Sequence, residues 1–220
     1  MKVTVGGVAF DNMTMAEAVR EAMRGGEVCR VYTPNALMLR ACAENPAYAE
    51  LLNSASMVLP DGSGVLLAAK RQGTPLRERV AGISFGEAIL SEAAKRGERV
   101  FLLGGREGVA PRAAENLQKK YPGLVICGTY WGYFEKEGEE NQRVLGMIRV
   151  CRPDILFACF GFPMQETCAA LLFLCKGGAW SGRGAWRQSR SGSRSSPRSF
   201  ASRRTHTRKK QTASLDAVCP

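Results

Sequence analysis

The strongest constraint on this chain comes from two apolar segments that lack the alternation of a half-exposed strand. They are "RVFLLGG", residues 99–105, and "DILFACFG", residues 154–161. A strand that is apolar on both faces is typical of a parallel sheet covered by helices on each side. Amphipathic segments of helical period separate these segments from three further apolar runs. The pattern predicts an α/β fold: a Rossmann-like parallel sheet with helices on both faces.

Capping and stop signals indicate where the helices begin and end. Thr14 and Glu17 form one capping box, and Ser84 with Glu87 forms a second. Residues 34–55 read as two helices because Pro46 interrupts the run. Three further helices are predicted within residues 64–73, 107–123 and 139–153. The remaining strands are predicted within residues 27–33, 56–60 and 124–130.

The composition changes sharply after Glu166. Residues 167–220 contain eleven Lys and Arg against the single acid Asp216, which gives +10, whereas residues 1–166 carry +1. This Ser-, Arg- and Gly-rich segment lacks hydrophobic periodicity and cannot bury enough apolar surface to fold. We expect an α/β body over residues 1–175 and a basic tail over 176–220, disordered from about residue 180. The near-neutral body has no nucleic-acid motif, so no specific nucleic-acid partner is expected.

The residue types of the body exclude several chemistries. The only histidine is His206, in the tail, so the body has no Ser–His or Cys–His nucleophile. Eight scattered cysteines form no CxxC pair, and the aspartates form no D-x-D pair, so we expect no metal site. "GGREG" lacks the dinucleotide-binding fingerprint, so no cofactor is expected. Without a signal peptide or an apolar run of ~18 residues, we expect a cytoplasmic protein.

Small and polar residues follow four of the predicted strands, where ligands bind in an open parallel sheet. They are Thr33 and Asn35, Asp61 and Gly62, Gly104 and Gly105, and Gln165. Asp61 is either a turn residue or a general base that deprotonates an acceptor hydroxyl. The Gly104–Gly105 turn either lets a phosphate approach or packs a strand tightly against a helix. Arg79, with Arg77 as second candidate, either neutralises a leaving diphosphate or is a solvated surface charge.

Six segments in one order carry a family resemblance: "TPNA", "LPDGSGV", "RERVAG", "LLGGREGVA", "YPGLVICGTYWGYF" and "PDILFACFGFPMQE". Over about residues 1–166 the chain resembles the WecG/TagA/CpsF family of bacterial glycosyltransferases. The resemblance implies inverting, metal-independent transfer of an N-acetylmannosamine-type sugar from a UDP donor. The implied acceptor is polyprenyl-diphosphate-linked N-acetylglucosamine at the inner face of the cytoplasmic membrane, in the synthesis of teichoic acid, common antigen or capsule.

The resemblance also implies roles for single residues. The family's base falls on Asp61, and its substrate-contacting polar positions fall on Thr33, Asn35, Arg79 and Gln165. A homo-oligomer and peripheral association with the membrane are further implications. Two other functions stay open from the residues alone. One is a nucleotide- or sugar-binding regulator on the same body, and the other is an anionic-polymer binder that uses the basic tail.

The resemblance ends where the basic segment begins. The family continues with a helix, a Gly-Gly strand end and an Arg-bearing appendage, whereas here "LCKGGAW" leads into Ser-, Arg- and Gly-rich sequence. We hypothesise a frameshift near residues 167–180, which would weaken activity by removing the appendage's arginines. Sequencing the genomic DNA across codons 150–220 should then reveal a second frame that encodes a Trp- and Arg-bearing helical appendage. The hypothesis is wrong if no frame does so.

Overall fold

The computed structural model describes residues 1–26, 28–136, 138–161 and 164. The predicted tail and Gln165 lie outside these residues. The described elements, in chain order, are β1 (Lys2–Val5), β2 (Val8–Asp11), α1 (Met15–Ala22), β3 (Val31–Tyr32), α2 (Ala36–Glu44), α3 (Pro46–Asn53), β4 (Met57–Val58), α4 (Ser63–Arg71), α5 (Gly82–Arg96), β5 (Arg99–Gly104), α6 (Val109–Lys120), β6 (Val125–Tyr130), α7 (Gly138–Cys151) and β7 (Ile155–Cys159). Each described helix is too short or too polar to cross a bilayer.

The described strands form three hydrogen-bonded sheets. Strands β3 and β4 pair in parallel, and β6-β5-β7 form a parallel three-stranded sheet. The predicted α/β class is therefore confirmed, although the parallel strands are divided between two sheets. Strands β1 and β2 add an antiparallel hairpin that the sequence did not predict. The hairpin buries alternate residues, as a sheet with one exposed face does.

Helices cover both faces of β5, as its apolar sequence predicts. Val100 and Leu102 are buried with apolar residues of α5 and α6. Phe101 and Leu103 point to the opposite face, where they are buried with residues of α7. Because successive strand residues face opposite sides, a strand between two helical layers must be apolar at every position.

Strand β4 separates the two larger hydrophobic cores of the described residues. Met57 and Leu59 pack with α1, α5 and α6, whereas Val58 between them packs with the hairpin and α2, α3 and α4. All three are at most 2% exposed, and burial of each side chain contributes about 1.5–3 kcal/mol. The strand is shorter than the predicted segment, 56–60, yet it is fixed from both sides.

Two helix starts confirm the sequence signals. The Glu17 N–H donates to Thr14 Oγ1 at 3.3 Å, and the Thr14 N–H donates to Glu17 Oε2 at 2.8 Å, which completes the capping box before α1. Pro46 is the first residue of α3, where a missing N–H costs nothing. The side chain of Asn45 caps this helix by accepting from the Ala47 N–H at 3.2 Å.

Helix α5 begins two residues earlier than the sequence predicts. The capping box predicted at Ser84 and Glu87 is wrong, because the helix begins at Gly82 and Ser84 lies within its first turn. Glu87 instead forms an ion pair with Lys120, with an N–O distance of 2.5 Å. The first N–H of the helix is bound by Asp61, which is remote in sequence. A local sequence signal cannot reveal such a cap.

Candidate active site

Asp61 lies just beyond the carboxyl end of β4. Its backbone N–H donates to the carbonyl of Pro34, which follows β3, at 3.1 Å. Two residues earlier in each segment, the Leu59 N–H donates to the carbonyl of Tyr32 at 2.8 Å. These two bonds tie together the ends of the parallel strands, so that the polar residues after both strands lie at one edge.

Within the described part of the chain, two groups contact the Asp61 carboxylate. Its Oδ2 accepts from the Gly82 N–H at 3.2 Å, and its Oδ1 lies 3.8 Å from Nε of Arg79. The beginning of a helix carries unpaired N–H groups and the positive end of the helix dipole, so it favours a negatively charged oxygen. The Arg79 side chain is 56% exposed. Such exposed ion pairs contribute about 0–1 kcal/mol, so this one adds little to folding stability.

Thr33 completes this cluster. A Cβ placed on Gly82 would lie 2.7 Å from Thr33 Oγ1 and 3.5 Å from Asp61 Oδ2. The structure therefore brings Thr33, Asp61 and Arg79 around the beginning of α5, and we call these three residues with Gly82 the Asp61 cluster. Sequence reasoning missed the role of Gly82. The only signal was its place as the last residue of "RERVAG".

The two candidate arginines lie in the segment before α5, but they have different contacts. Nη1 of Arg77 forms an ion pair with Glu17 Oε2 at 2.8 Å, and the Arg77 N–H donates to Asn12 Oδ1 at 2.8 Å. Val80 is fully buried. These contacts hold the segment against the beginning of α1. Arg77 is thus an anchor of the segment, whereas Arg79 reaches Asp61.

Asn35 and Gly62 lie at the beginnings of the two neighbouring helices. Asn35 Oδ1 accepts from the N–H groups of Leu37 at 3.0 Å and Met38 at 3.2 Å, which caps α2. Gly62 precedes α4 with φ +97°, a conformation that favours glycine. Both residues therefore have structural roles beside Asp61. Their predicted contacts with substrate stay predictions.

Gly104 and Gly105 belong to a second cluster at the ends of β5 and β7. A Cβ on Gly104 would clash with the carbonyl oxygen of Cys159. The Gly105 N–H donates to that same oxygen at 3.2 Å, and the Gly132 N–H donates to the Gly105 carbonyl at 2.8 Å. These contacts support the interpretation as a packing turn, because the amide of Gly105 is already used. A contact with a phosphate stays a prediction.

Lys136 secures the loop over these glycines, a role that sequence reasoning missed. Its Nζ donates to the Gly132 carbonyl at 2.7 Å and lies 3.4 Å from the ring centre of Phe134 and 4.8 Å from that of Phe160. Burial raises the pKa of the neighbouring Cys159 thiol to about 11. This thiol is therefore protonated at neutral pH and is a poor nucleophile.

The described residues contain no group of three or more His, Cys, Asp and Glu side chains that could hold a metal ion. The predicted site residue Gln165 lies outside them. Of the predicted site residues that are described, Thr33, Asp61 and Arg79 lie together, with Gly62 beside Asp61. Gly104 and Gly105 lie at the end of a different sheet.

Comparisons with known proteins give one consistent answer. Residues 3–196 match the family described as "Glycosyl transferase WecG/TagA/CpsF family". The matched region continues beyond residue 166, where the motifs quoted above end. The chain is also 34% identical over 170 residues to proteins of Staphylococcus aureus strains NCTC 8325 and MRSA252, each named N-acetylglucosaminyldiphosphoundecaprenol N-acetyl-beta-D-mannosaminyltransferase. The matches cover 75% of this chain and 65% of the length of those relatives.

Gly104→Ala tests whether this glycine is needed for the close contact between β5 and β7 or only for the approach of a phosphate. The added Cβ meets the Cys159 carbonyl, and φ is +144°, so we expect a loss of roughly 3 kcal/mol or more in the free energy of unfolding. Urea denaturation measures this change. Gly146→Ala in α7 is the matched control, because its Cβ meets open space, and it should stabilise by up to about 1 kcal/mol. Unchanged stability in Gly104→Ala would contradict the packing role.

Proposed function

The chain belongs to the WecG/TagA/CpsF family of glycosyl transferases, and we propose that it transfers an N-acetylmannosamine-type sugar from a UDP donor to polyprenyl-diphosphate-linked N-acetylglucosamine. The observation that carries the proposal is a carboxylate held at the carboxyl edge of β3 and β4, in a chain 34% identical to mannosaminyltransferases that act on such an acceptor. The product would enter synthesis of a cell-surface polymer.

Asp61 is the general base in this proposal. Its Oδ2 is occupied by the helix N–H, which leaves Oδ1 to take the proton of the acceptor hydroxyl. The acceptor oxygen then bonds to the anomeric carbon as the bond from that carbon to the diphosphate oxygen breaks, and UDP leaves. A single displacement of this kind inverts the anomeric configuration. NMR of the product's glycosidic linkage can establish the configuration.

Arg79 stabilises the leaving diphosphate in this proposal. Its guanidinium lies beside Asp61 but is more than half exposed, so it can turn toward a ligand at low cost. A guanidinium pairs with phosphate oxygens through two parallel hydrogen bonds, which suits charge that develops on a diphosphate. Since Arg79 supplies the positive charge, the proposal needs no metal ion, and EDTA should leave turnover unchanged.

Asp61→Asn is the first test of the proposal. The amide keeps an oxygen for the Gly82 N–H but cannot accept the proton, so turnover should fall by about 10²–10⁴-fold, while UDP binding is kept. The assay follows transfer from a UDP-N-acetylhexosamine to a polyprenyl-diphosphate-linked N-acetylglucosamine. Calorimetry with UDP measures binding.

Asp154→Asn is the matched control for Asp61→Asn. Asp154 Oδ2 accepts from the Arg99 N–H at 2.8 Å, at the amino ends of β5 and β7. This substitution should change folding stability more than turnover. Full turnover in Asp61→Asn would rule out Asp61 as the base. UDP binding without turnover in the unmodified chain would instead favour a nucleotide-binding regulator.

Arg79→Gln and Arg77→Gln form a second matched pair. Arg79→Gln removes the charge next to Asp61, so we expect about a tenfold or greater loss of kcat/KM with little change in the thermal midpoint. Arg77→Gln breaks the ion pair with Glu17, which is partly exposed. It should lower stability by up to about 1 kcal/mol and change kcat/KM less. Equal kinetic effects of the two changes would argue against a specific role for Arg79.

A further inference from the structure

We infer that Gly82 is a positioning residue for the proposed transfer. Its N–H fixes one oxygen of Asp61 so that the other faces the acceptor, and its missing side chain leaves the space that Thr33 occupies. The inference rests on the proposed function, because it concerns how the base is held. It adds a residue that contacts the base directly and contributes only backbone atoms to the site.

The hydrogen bond between Gly82 and Asp61 exists because α5 begins without a side-chain cap of its own. The first N–H groups of a helix have no acceptor within the helix, and the side chain of the preceding residue normally accepts from the second or third of them. Here that residue is Ala81, whose side chain cannot accept. Asp61, 21 residues earlier in the chain, supplies the acceptor instead. The same contact therefore caps the helix and fixes the rotation of the carboxylate.

The missing side chain matters because a Cβ on Gly82 would crowd Thr33, and α5 cannot easily move away to relieve the contact. The 2.7 Å separation between a Cβ on Gly82 and Thr33 Oγ1 is too short for real atoms. Helix α5 is held in place one turn later, where Phe85 is buried and a Cβ on Gly86 would lie 3.3 Å from the Phe157 ring. A side chain at residue 82 must therefore displace Thr33, on the side where Asp61 also lies.

Comparison of Gly82→Ala with Gly82→Pro separates the hydrogen bond from the crowding. Both substitutions add a Cβ, but only proline removes the N–H, and its Cδ takes the place of that hydrogen, so Asp61 Oδ2, 3.2 Å from the nitrogen, must also move away. Proline is favoured at the first position of a helix, and Ala81 already has the extended conformation (φ −66°, ψ 129°) that precedes proline. We expect Gly82→Pro to have a thermal midpoint at or below that of Gly82→Ala. Gly82→Pro should have a kcat lower than that of Gly82→Ala by about tenfold or more, with KM for the UDP donor within about twofold.

Thr33→Ala in the Gly82→Ala background tests whether the contact between the new Cβ and Thr33 Oγ1 is what destabilises Gly82→Ala. Removal of Oγ1 should restore the thermal midpoint that Gly82→Ala loses, since the shortest contact disappears. The control is Gly146→Ala, where a new Cβ meets no atom within 4 Å and neither kcat nor crowding should change. A midpoint that Thr33→Ala does not restore would overturn the steric part of the inference.

Amide hydrogen exchange tests the hydrogen bond in the full unmodified chain and does not depend on folding of the proline variant. The Gly82 N–H should be protected, and in Asp61→Ala it should exchange at least about tenfold faster, because the acceptor is lost. An unprotected Gly82 N–H in the unmodified chain would overturn the inference, as would equal kcat in Gly82→Pro and Gly82→Ala. If the unmodified chain transfers no sugar, the proposed function itself fails. If Asp61→Asn keeps full turnover, the transfer stands, but Asp61 is not its base and this inference fails with that assignment.

Discussion

The hydrogen bond between the Gly82 N–H and Asp61 Oδ2 connects the local structure of this protein to its proposed chemistry. It joins the end of β4 to the beginning of α5. The oxygen that caps the helix belongs to the same carboxylate that would act as base, so one contact serves both folding and orientation. The question of whether Asp61 is a turn residue or a functional residue thus has a third answer. Asp61 is a long-range helix cap whose second oxygen faces Arg79.

The position of that carboxylate depends on β4, although this strand has only two residues. Burial on both faces, rather than a long ladder of hydrogen bonds, holds Met57, Val58 and Leu59 in place. Interiors packed to this density resist small displacements. Asp61, which follows this strand, is in turn fixed by its N–H bond to the Pro34 carbonyl and by the Gly82 N–H. An exposed polar group can therefore be placed accurately without a large sheet.

Sequence patterns predicted much of this fold, and the misses at the two candidate clusters share a cause. The apolar runs at β5 and β7 and the Thr14 capping box were recognisable because the signal and its effect lie within a few residues. The false capping box at Ser84 and the missed role of Gly82 both arise at the beginning of α5, where the cap comes from Asp61. The glycine contacts at Gly104 likewise depend on the backbone of β7, which only the three-dimensional fold brings near.

Helix α5 also connects the Asp61 cluster with the glycine cluster at β5 and β7. Its first residue binds Asp61, and one turn later the backbone at Gly86 lies against the ring of Phe157 in β7. Cys159, two residues farther along β7, accepts from Gly105. The two clusters lie at the ends of separate sheets, yet the first two turns of α5 contact both Asp61 and Phe157. Gly82 and Gly86 lack side chains where α5 lies beside Thr33 and the Phe157 ring, so a larger residue at either position would crowd that contact.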